Sequence, residues 1–349
     1  HPVKEHSYSG AQVFLNGMSI AKYFVWDGIR AIDYLLTRKE VDPERIGITG
    51  HSGGGAQAAY IAALDDRIFA AAPECWITNY KRLLQSIGPQ DAEQNLYHFI
   101  HKGLDLPDFL IVRAPKPAMM ITTTNDFFSI QGAMEAEEEI STVYRAFKKH
   151  ENFRREEGFG KHQTITMQNK EALYAFFQKH LDNAGLPDDE EVHYLTKAEL
   201  QVTSTGQLAT STGSETIYSL NKNEAEKLLS KLDNSRTDLN QHLPRVITSA
   251  KKITAYKKPD IIKNPVLTGK YKKDGFIIEK FFVQGSKGYV IPFVFFIPDG
   301  TINKVLIYIH PNGKMADKES HNEMEWFVKQ GFAVLVPDFL GTGETFATG

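Results

Sequence analysis

Residues 45–64 constrain this chain more than any other stretch: Arg-Ile-Gly-Ile-Thr, then Gly50-His51-Ser52-Gly53-Gly54-Gly55, then the Ala-rich run Ala56–Leu64. The first run reads as a short buried strand and the last as a helix. Gly50-x-Ser52-x-Gly54 therefore occupies a strand-to-helix turn, the setting in which a serine is held out on a sharp bend as a nucleophile. A serine near the left-handed region leaves no room for a Cβ at the flanking positions 50 and 54, which is why glycine is expected there. The start of the helix offers unpaired N–H groups and a positive dipole end to a developing oxyanion, with the N–H of Gly53 as one donor.

Strand and helix patterns alternate around this turn. Ser19–Arg38 places Ile20, Tyr23, Phe24, Ile32 and Leu35 at helical spacing. Ile68–Cys75 and Ala118–Thr124 read as further buried strands, and Gln131–Lys149 and Asn169–Leu181 as helices. The acidic run Asp188–Glu191, after Leu186-Pro187, reads as a solvated linker. Beyond it come a polar stretch over 203–219, a helical segment Lys222–Lys231 and a Lys-rich surface patch from Lys251 to Lys273. Four strands close the chain, at Phe276–Val283, Val290–Ile297, Lys304–His310 and Gly331–Val336, with the helix His321–Gln330 between the last two. This alternation predicts βαβ units, hence an α/β protein with a doubly wound, mostly parallel sheet.

In such a chain an acid and a histidine follow the serine, each on a loop after a later strand. Asp126 stands directly behind Ala118–Thr124, where its carboxylate could orient an imidazole or cap a helix. Asp105 and Asp108 follow no apolar strand. His162 lies in a Gly-containing loop ahead of the last helix of this half, whereas His150 ends a helix and His180 sits inside one. The expected roles are Ser52 as nucleophile, His162 as base and Asp126 as the group that fixes its tautomer.

Only about 45 residues precede the elbow strand, although the order of parts is that of an α/β-hydrolase sheet of about eight strands, in which several strands come first. Those strands lie at the other end of the chain. Lys304–His310 runs into Pro311-Asn312-Gly313-Lys314, the place for the second oxyanion donor. Pro311 has no N–H, so Asn312 or Gly313 is the candidate. Residues 1–186 thus read as the C-terminal part of a hydrolase domain, and 187–349 as a linker, a helical segment and the N-terminal strands. Together they make one permuted domain, or halves of two tandem repeats that could pair within a chain or by swapping between copies.

Composition narrows the remaining classes. Forty Lys+Arg against 43 Asp+Glu give a net charge of −3, unlike a protein that binds nucleic acid through its phosphates. The lone Cys75 can form neither an intramolecular disulfide nor a CxxC site, and reads as a small buried hydrophobe. Val290–Ile297, the longest apolar run, is too short to cross a membrane. Among the 12 histidines only His98 and His101 form a tight pair, with no acidic residue between them, so no metal and no cofactor is expected. The chain opens at His1 without a charged-then-apolar leader and is expected to be a processed or cut product.

Gly50–Gly55, Cys75-Trp76-Ile77-Thr78, Ile87-Gly88-Pro89-Gln90-Asp91-Ala92-Glu93-Gln94 and the helix Asn169–Leu181 resemble the acetyl xylan esterase-like α/β hydrolases of polysaccharide-degrading Bacteroidetes. Gly206-Gln207, Ser219-Leu220-Asn221, His310–Lys314 and Pro337-Asp338-Phe339-Leu340-Gly341-Thr342-Gly343 resemble the front part of the same family, in which tandem copies occur. The resemblance implies a serine carbohydrate esterase that deacetylates xylan or related acetylated sugars, using Ser52, Asp126 and His162, in a periplasmic or secreted setting. Two departures stand out. Leu340-Gly341-Thr342 occupies the place of an Arg-Gly-Gln in better-studied deacetylases, and Phe159 stands where many relatives carry the histidine. Trp76 and Tyr80, just behind a strand, are candidate sugar contacts and equally candidate core residues. The competing functions are a serine peptidase of prolyl oligopeptidase type, although no propeller repeat is present, and a catalytically dead carbohydrate-binding module.

Overall fold

The computed structural model describes residues 2–186, 193–259, 264–285, 288–302, 304–315 and 318–347. The linker expected at Asp188–Glu191 lies outside them. Two compact units emerge, His1–Leu239 and Asn240–Gly349.

The first unit runs α1 (Pro2–Leu15), α2 (Ala21–Leu35), β1 (Ile46–His51), α3 (Gly53–Leu64), β2 (Ile68–Glu74), α4 (Tyr80–Gln85), α5 (Asp108–Ile111), β3 (Ala118–Asn125), α6 (Ile130–Ala146), β4 (Phe153–Lys161), α7 (Met167–His180), α8 (Leu208–Thr212) and α9 (Ile217–Arg236). Its sheet has the order β1-β2-β3-β4, and every neighbouring pair is parallel. β2 and β3 carry near-continuous apolar runs because both of their faces are covered. On one face Met120 and Ala118 pack with Ile140 and Tyr144 of α6 and with Ala56, Ala59 and Tyr60 of α3. On the other, Ala70, Ala72, Met119 and Ile121 pack with Phe176 of α7. The alanines of α3 and β2 carry little bulk, which lets this helix lie close against the strand it follows.

Five elements of this unit, α1, α4, α5, β4 and α8, are absent from the sequence expectation, and two of them matter for the site. β4 carries Arg154, Arg155, Glu156 and Glu157 and ends the sheet; a charged edge strand shows no apolar run and resists pairing with further strands. α1 is interrupted in pattern by Ser9 and Gly10, both needed for packing: Ser9 is fully buried, and a Cβ on Gly10 would press into the side chain of Ala92.

The first unit extends to Leu239, and α9 is tied to it by Asn221. That buried side chain donates to the Ser9 carbonyl at 3.0 Å and accepts from Tyr23 Oη at 2.9 Å, while Asn16 Nδ2 donates to the Asn221 carbonyl at 3.2 Å.

The second unit contains all but the first residue of α10 (Leu239–Ile253), then β5 (Val266–Lys273), β6 (Phe276–Gln284), β7 (Val290–Pro298), β8 (Lys304–Ile307), α11 (Lys318–Lys329) and β9 (Phe332–Pro337). Its sheet order is β5-β6-β7-β9-β8, antiparallel except for the parallel pair β8/β9. Phe276, Ile278, Phe296, Val334 and Val336 form its core with Met324 and Val328 of α11. The Lys-rich patch is not all irregular surface: it includes α10's end and the exposed edge strand β5. The chain thus has the α/β character and parallel sheet expected of it, with its strands distributed between two sheets rather than gathered into one of about eight.

Candidate active site

β1, β3 and β4 all point their carboxyl ends the same way, and each hands the chain to one of the candidate residues: Ser52 after His51, Asp126 after Asn125, and His162 after Lys161. In open parallel sheets this is where ligands are met. His162 follows a strand rather than lying within an open Gly-containing loop.

Ser52 has φ 57° and ψ −116°, a conformation costly for a residue with a Cβ and kept only where the surroundings enforce it. Enforcement comes from both sides. Its N–H donates to the Glu74 carbonyl of β2 at 2.9 Å, and its carbonyl accepts from Ala56 N of α3 at 3.0 Å. A Cβ on Gly50 would overlap the Gly54 carbonyl, and one on Gly55 would overlap the Glu74 carbonyl. Nothing lies within 4 Å of a Cβ on Gly54. The second glycine that the turn requires for space is therefore Gly55, which meets β2, and not Gly54 as the motif suggests.

Ser52 Oγ donates to His162 Nε2 at 2.7 Å, and His162 Nδ1 donates to Asp126 at 2.8 Å (Oδ1) and 3.0 Å (Oδ2). The carboxylate is held in turn by the Phe128 N–H at 3.0 Å and Thr123 Oγ1 at 3.2 Å. Asp126 caps no helix; Ser129 caps α6. Both His162 and Asp126 are about 4% exposed, and the Phe127 ring lies 4.1 Å from the imidazole. The rival acids are structural: Asp105 Oδ1 accepts from the Tyr80 N–H, and Asp108 Oδ2 from the Asp105 N–H. Phe159 is exposed on β4.

Gly53 opens α3, so its N–H is in the first turn of the helix, where no intrahelical carbonyl can take it. The other two expected oxyanion donors are otherwise engaged. The Asn312 N–H donates to His310 Nδ1 at 3.1 Å and the Gly313 N–H to the His310 carbonyl at 2.9 Å, closing a tight turn in the second unit. Asp338 braces this turn by accepting from Lys314 N (2.6 Å) and Lys314 Nζ. Burial raises the Asp338 carboxyl, but the Lys314 contacts and the Glu344 N–H outweigh it and leave it below the ordinary carboxylate value.

Trp76 and Tyr80 are core residues and not sugar contacts. Trp76 is 1% exposed, packed edge-on to Tyr60 at 5.3 Å, with its Nε1 donating to Gln94 Oε1 at 3.0 Å. Tyr80 donates to the Gln94 carbonyl at 3.3 Å and packs on Phe99. Neither presents a face to a sugar; both hold the segment that carries Gln94. Cys75 is no rival nucleophile, since burial and the nearby Asp126 charge push its thiol up to about 12. Among the described residues no cluster of His, Cys, Asp and Glu could hold a metal, and no helix is long and apolar enough to cross a membrane.

A cavity of about 370 Å³ opens beside Ser52, lined by Gly53, Gly54 and Gln57 on one side and by His6, Asp91 and Glu93 on the other. The sequence reading quotes Glu93 only as part of the resembling stretch Ile87–Gln94 and gives it no role, and it passes over His6, which sits on a helix whose pattern is obscured by Ser9 and Gly10.

The family model for acetyl xylan esterase matches residues 20–105. The "putative hydrolase YtaP" of Bacillus subtilis (strain 168) is 27% identical over 138 residues, 38% of this chain and 45% of that relative. Among solved structures, the methylesterase BT1017 is 24% identical with a TM-score of 0.40, over 45% of this chain and 35% of its own. A glucuronoyl esterase from Solibacter usitatus is 23% identical with a TM-score of 0.37, over 45% and 47%. The chain spans less than half the length of each of these three proteins. The resemblance to acetyl xylan esterases over the elbow segment stands at the level of sequence.

Proposed function

We propose that this protein is a serine esterase acting on carbohydrate esters, with acetylated xylan or a related acetylated sugar as substrate. The observation that carries the reading is the unbroken relay from Ser52 Oγ to His162 Nε2 and from His162 Nδ1 to Asp126, at 2.7 and 2.8 Å. The acetyl xylan esterase match spans the elbow and Glu93 and supports the substrate class.

In this mechanism His162 takes the Ser52 proton as Oγ attacks the acetyl carbonyl. The carbonyl electrons move onto oxygen, and the N–H of Gly53 stabilises that charge. Collapse expels the sugar alkoxide, which receives the proton from His162. Water then attacks the acetyl-enzyme with His162 again as base, releasing acetate and restoring Ser52. Asp126 stays ionised and keeps the imidazolium oriented. The second unit carries the strands such a domain places ahead of its elbow, whether as one permuted domain or as half of a tandem repeat.

Acetate release from 4-nitrophenyl acetate and from acetylated xylan, with wild type beside Ser52→Ala, tests this reading. The variant should lose about three to six orders of magnitude in kcat. Equal rates in the two proteins would remove Ser52 from the mechanism. Hydrolysis of an aminoacyl-proline amide in preference to acetyl esters would move the protein to the peptidases, and a wild type inactive on all three would make it a dead module.

A further inference from the structure

The relay leaves one wall of the Ser52 cavity unexplained. Glu93 is about 5% exposed, and a carboxylate so enclosed is costly unless it is partnered. His6 Nδ1, reaching in from α1, donates to Glu93 Oε2 at 3.0 Å. Oε1 receives no donor from any described residue, and it lies 3.6 Å from where a Cβ on Gly53 would stand, beside the proposed nucleophile. A bare carboxylate oxygen next to a site built for an oxyanion works against the chemistry, so it calls for a reason of its own.

The rest of the cavity supplies one. Asp91 adds a second carboxylate, and Gln57 Oε1 is buried with no hydrogen-bond partner in the described structure. The wall is therefore rich in acceptors that lack donors. An anionic ligand would be repelled, and an apolar one would leave these acceptors unpaired at a cost. A neutral, hydroxyl-bearing ligand satisfies them. Phe24, whose ring lies 4.9 Å from His6 in the same cavity, offers an apolar surface against the C–H edge of such a ligand.

We propose that Glu93 reads the alcohol half of the ester: Oε1 accepts a hydrogen bond from a free hydroxyl of the sugar, and His6 is the positioning residue that holds the carboxylate there. This rests on the reading of Ser52 as the nucleophile of a sugar esterase. The preferred substrate is then a partly acetylated sugar, and a fully acetylated one has nothing to give Glu93.

The test uses three substrates that share the acetyl group: a mono-O-acetyl methyl xylopyranoside, the fully acetylated methyl xylopyranoside and 4-nitrophenyl acetate. Wild type should show a kcat/KM at least about tenfold higher for the mono- than for the fully acetylated xyloside, a preference carried by a charge-assisted hydrogen bond. Glu93→Ala should abolish that preference by lowering the mono-acetyl rate about 10- to 100-fold beyond any loss on the other two, chiefly through KM. Glu93→Gln, which keeps a neutral acceptor, should fall between, and His6→Ala should weaken the preference without erasing it. Equal fractional losses on all three esters would reduce Glu93 to a structural role and overturn the proposal. So would a wild type with no preference, a result that needs no variant to fold. Failure of the underlying reading looks different: Ser52→Ala would then retain wild-type turnover of all three esters.

Discussion

Three of the four glycines in residues 50–55, Gly50, Gly54 and Gly55, differ in what they face around Ser52, and only the geometry separates them. Gly50 and Gly55 face backbone carbonyls, of Gly54 and Glu74 respectively, that cannot step aside. Alanine at either should cost about 2 kcal/mol or more, because the overlap falls on the main chain and not on a flexible side chain. Gly54 faces open space within the first turn of α3, where alanine is the better helix former by up to about 1 kcal/mol. Thermal unfolding of the three single variants should show lowered midpoints for Gly50→Ala and Gly55→Ala, and an equal or raised one for Gly54→Ala. Were Gly54→Ala as damaging as Gly55→Ala, the account of the turn would fail. The residue pattern G-x-S-x-G located the turn correctly, but a motif records which residues recur and not which neighbour each one touches.

At the scale of elements, legibility followed burial. β2 and β3 could be read from sequence because a strand covered on both faces writes an apolar run, and Asp126 directly follows one; β1, an edge strand with Ile46 buried, was legible from its short apolar pattern and the glycine-rich turn behind it, which carries Ser52. His162 was placed by elimination among loop histidines; the strand that delivers it, β4, is a charged edge and left no such run. The Asn312–Gly313 turn shows the opposite limit. Its position was legible, but its N–H groups close on His310, and its brace, Asp338, lies 24 residues onward at the end of β9.

That brace makes a prediction with a definite sign. Asp338 is fully buried, and its folded-state carboxyl is held below its ordinary value despite burial, through Lys314 and the Glu344 N–H. A carboxyl depressed in this way contributes stability that is present above its unfolded pKa of about 3.9 and is lost as pH falls through the lower folded value. Asp338→Asn should cost the second unit about 1–3 kcal/mol at neutral pH, since the enclosed Lys314 would lose its buried counter-charge and keep only the exposed Glu344 carboxylate at 2.7 Å. It should also flatten the loss of stability on acidification below pH 4. A variant whose acid sensitivity matched wild type would show that other carboxylates govern that limb. Denaturant unfolding at a series of pH values reads both effects.

For the whole molecule the question is whether two units mean two folding events. Each has its own core: Trp76, Met120, Ile140 and Tyr144 belong to one, Phe276, Met324, Val334 and Val336 to the other, and none of the four buried clusters mixes residues of the two. Separate cores predict separate cooperative transitions. Calorimetry of the full chain should then show two, with Asp338→Asn lowering only one of them and Gly55→Ala only the other. A single transition, lowered as a whole by either substitution, would overturn this account of two independent cores. A midpoint that also rose with protein concentration would add association between copies, because only association makes stability depend on how much protein is present.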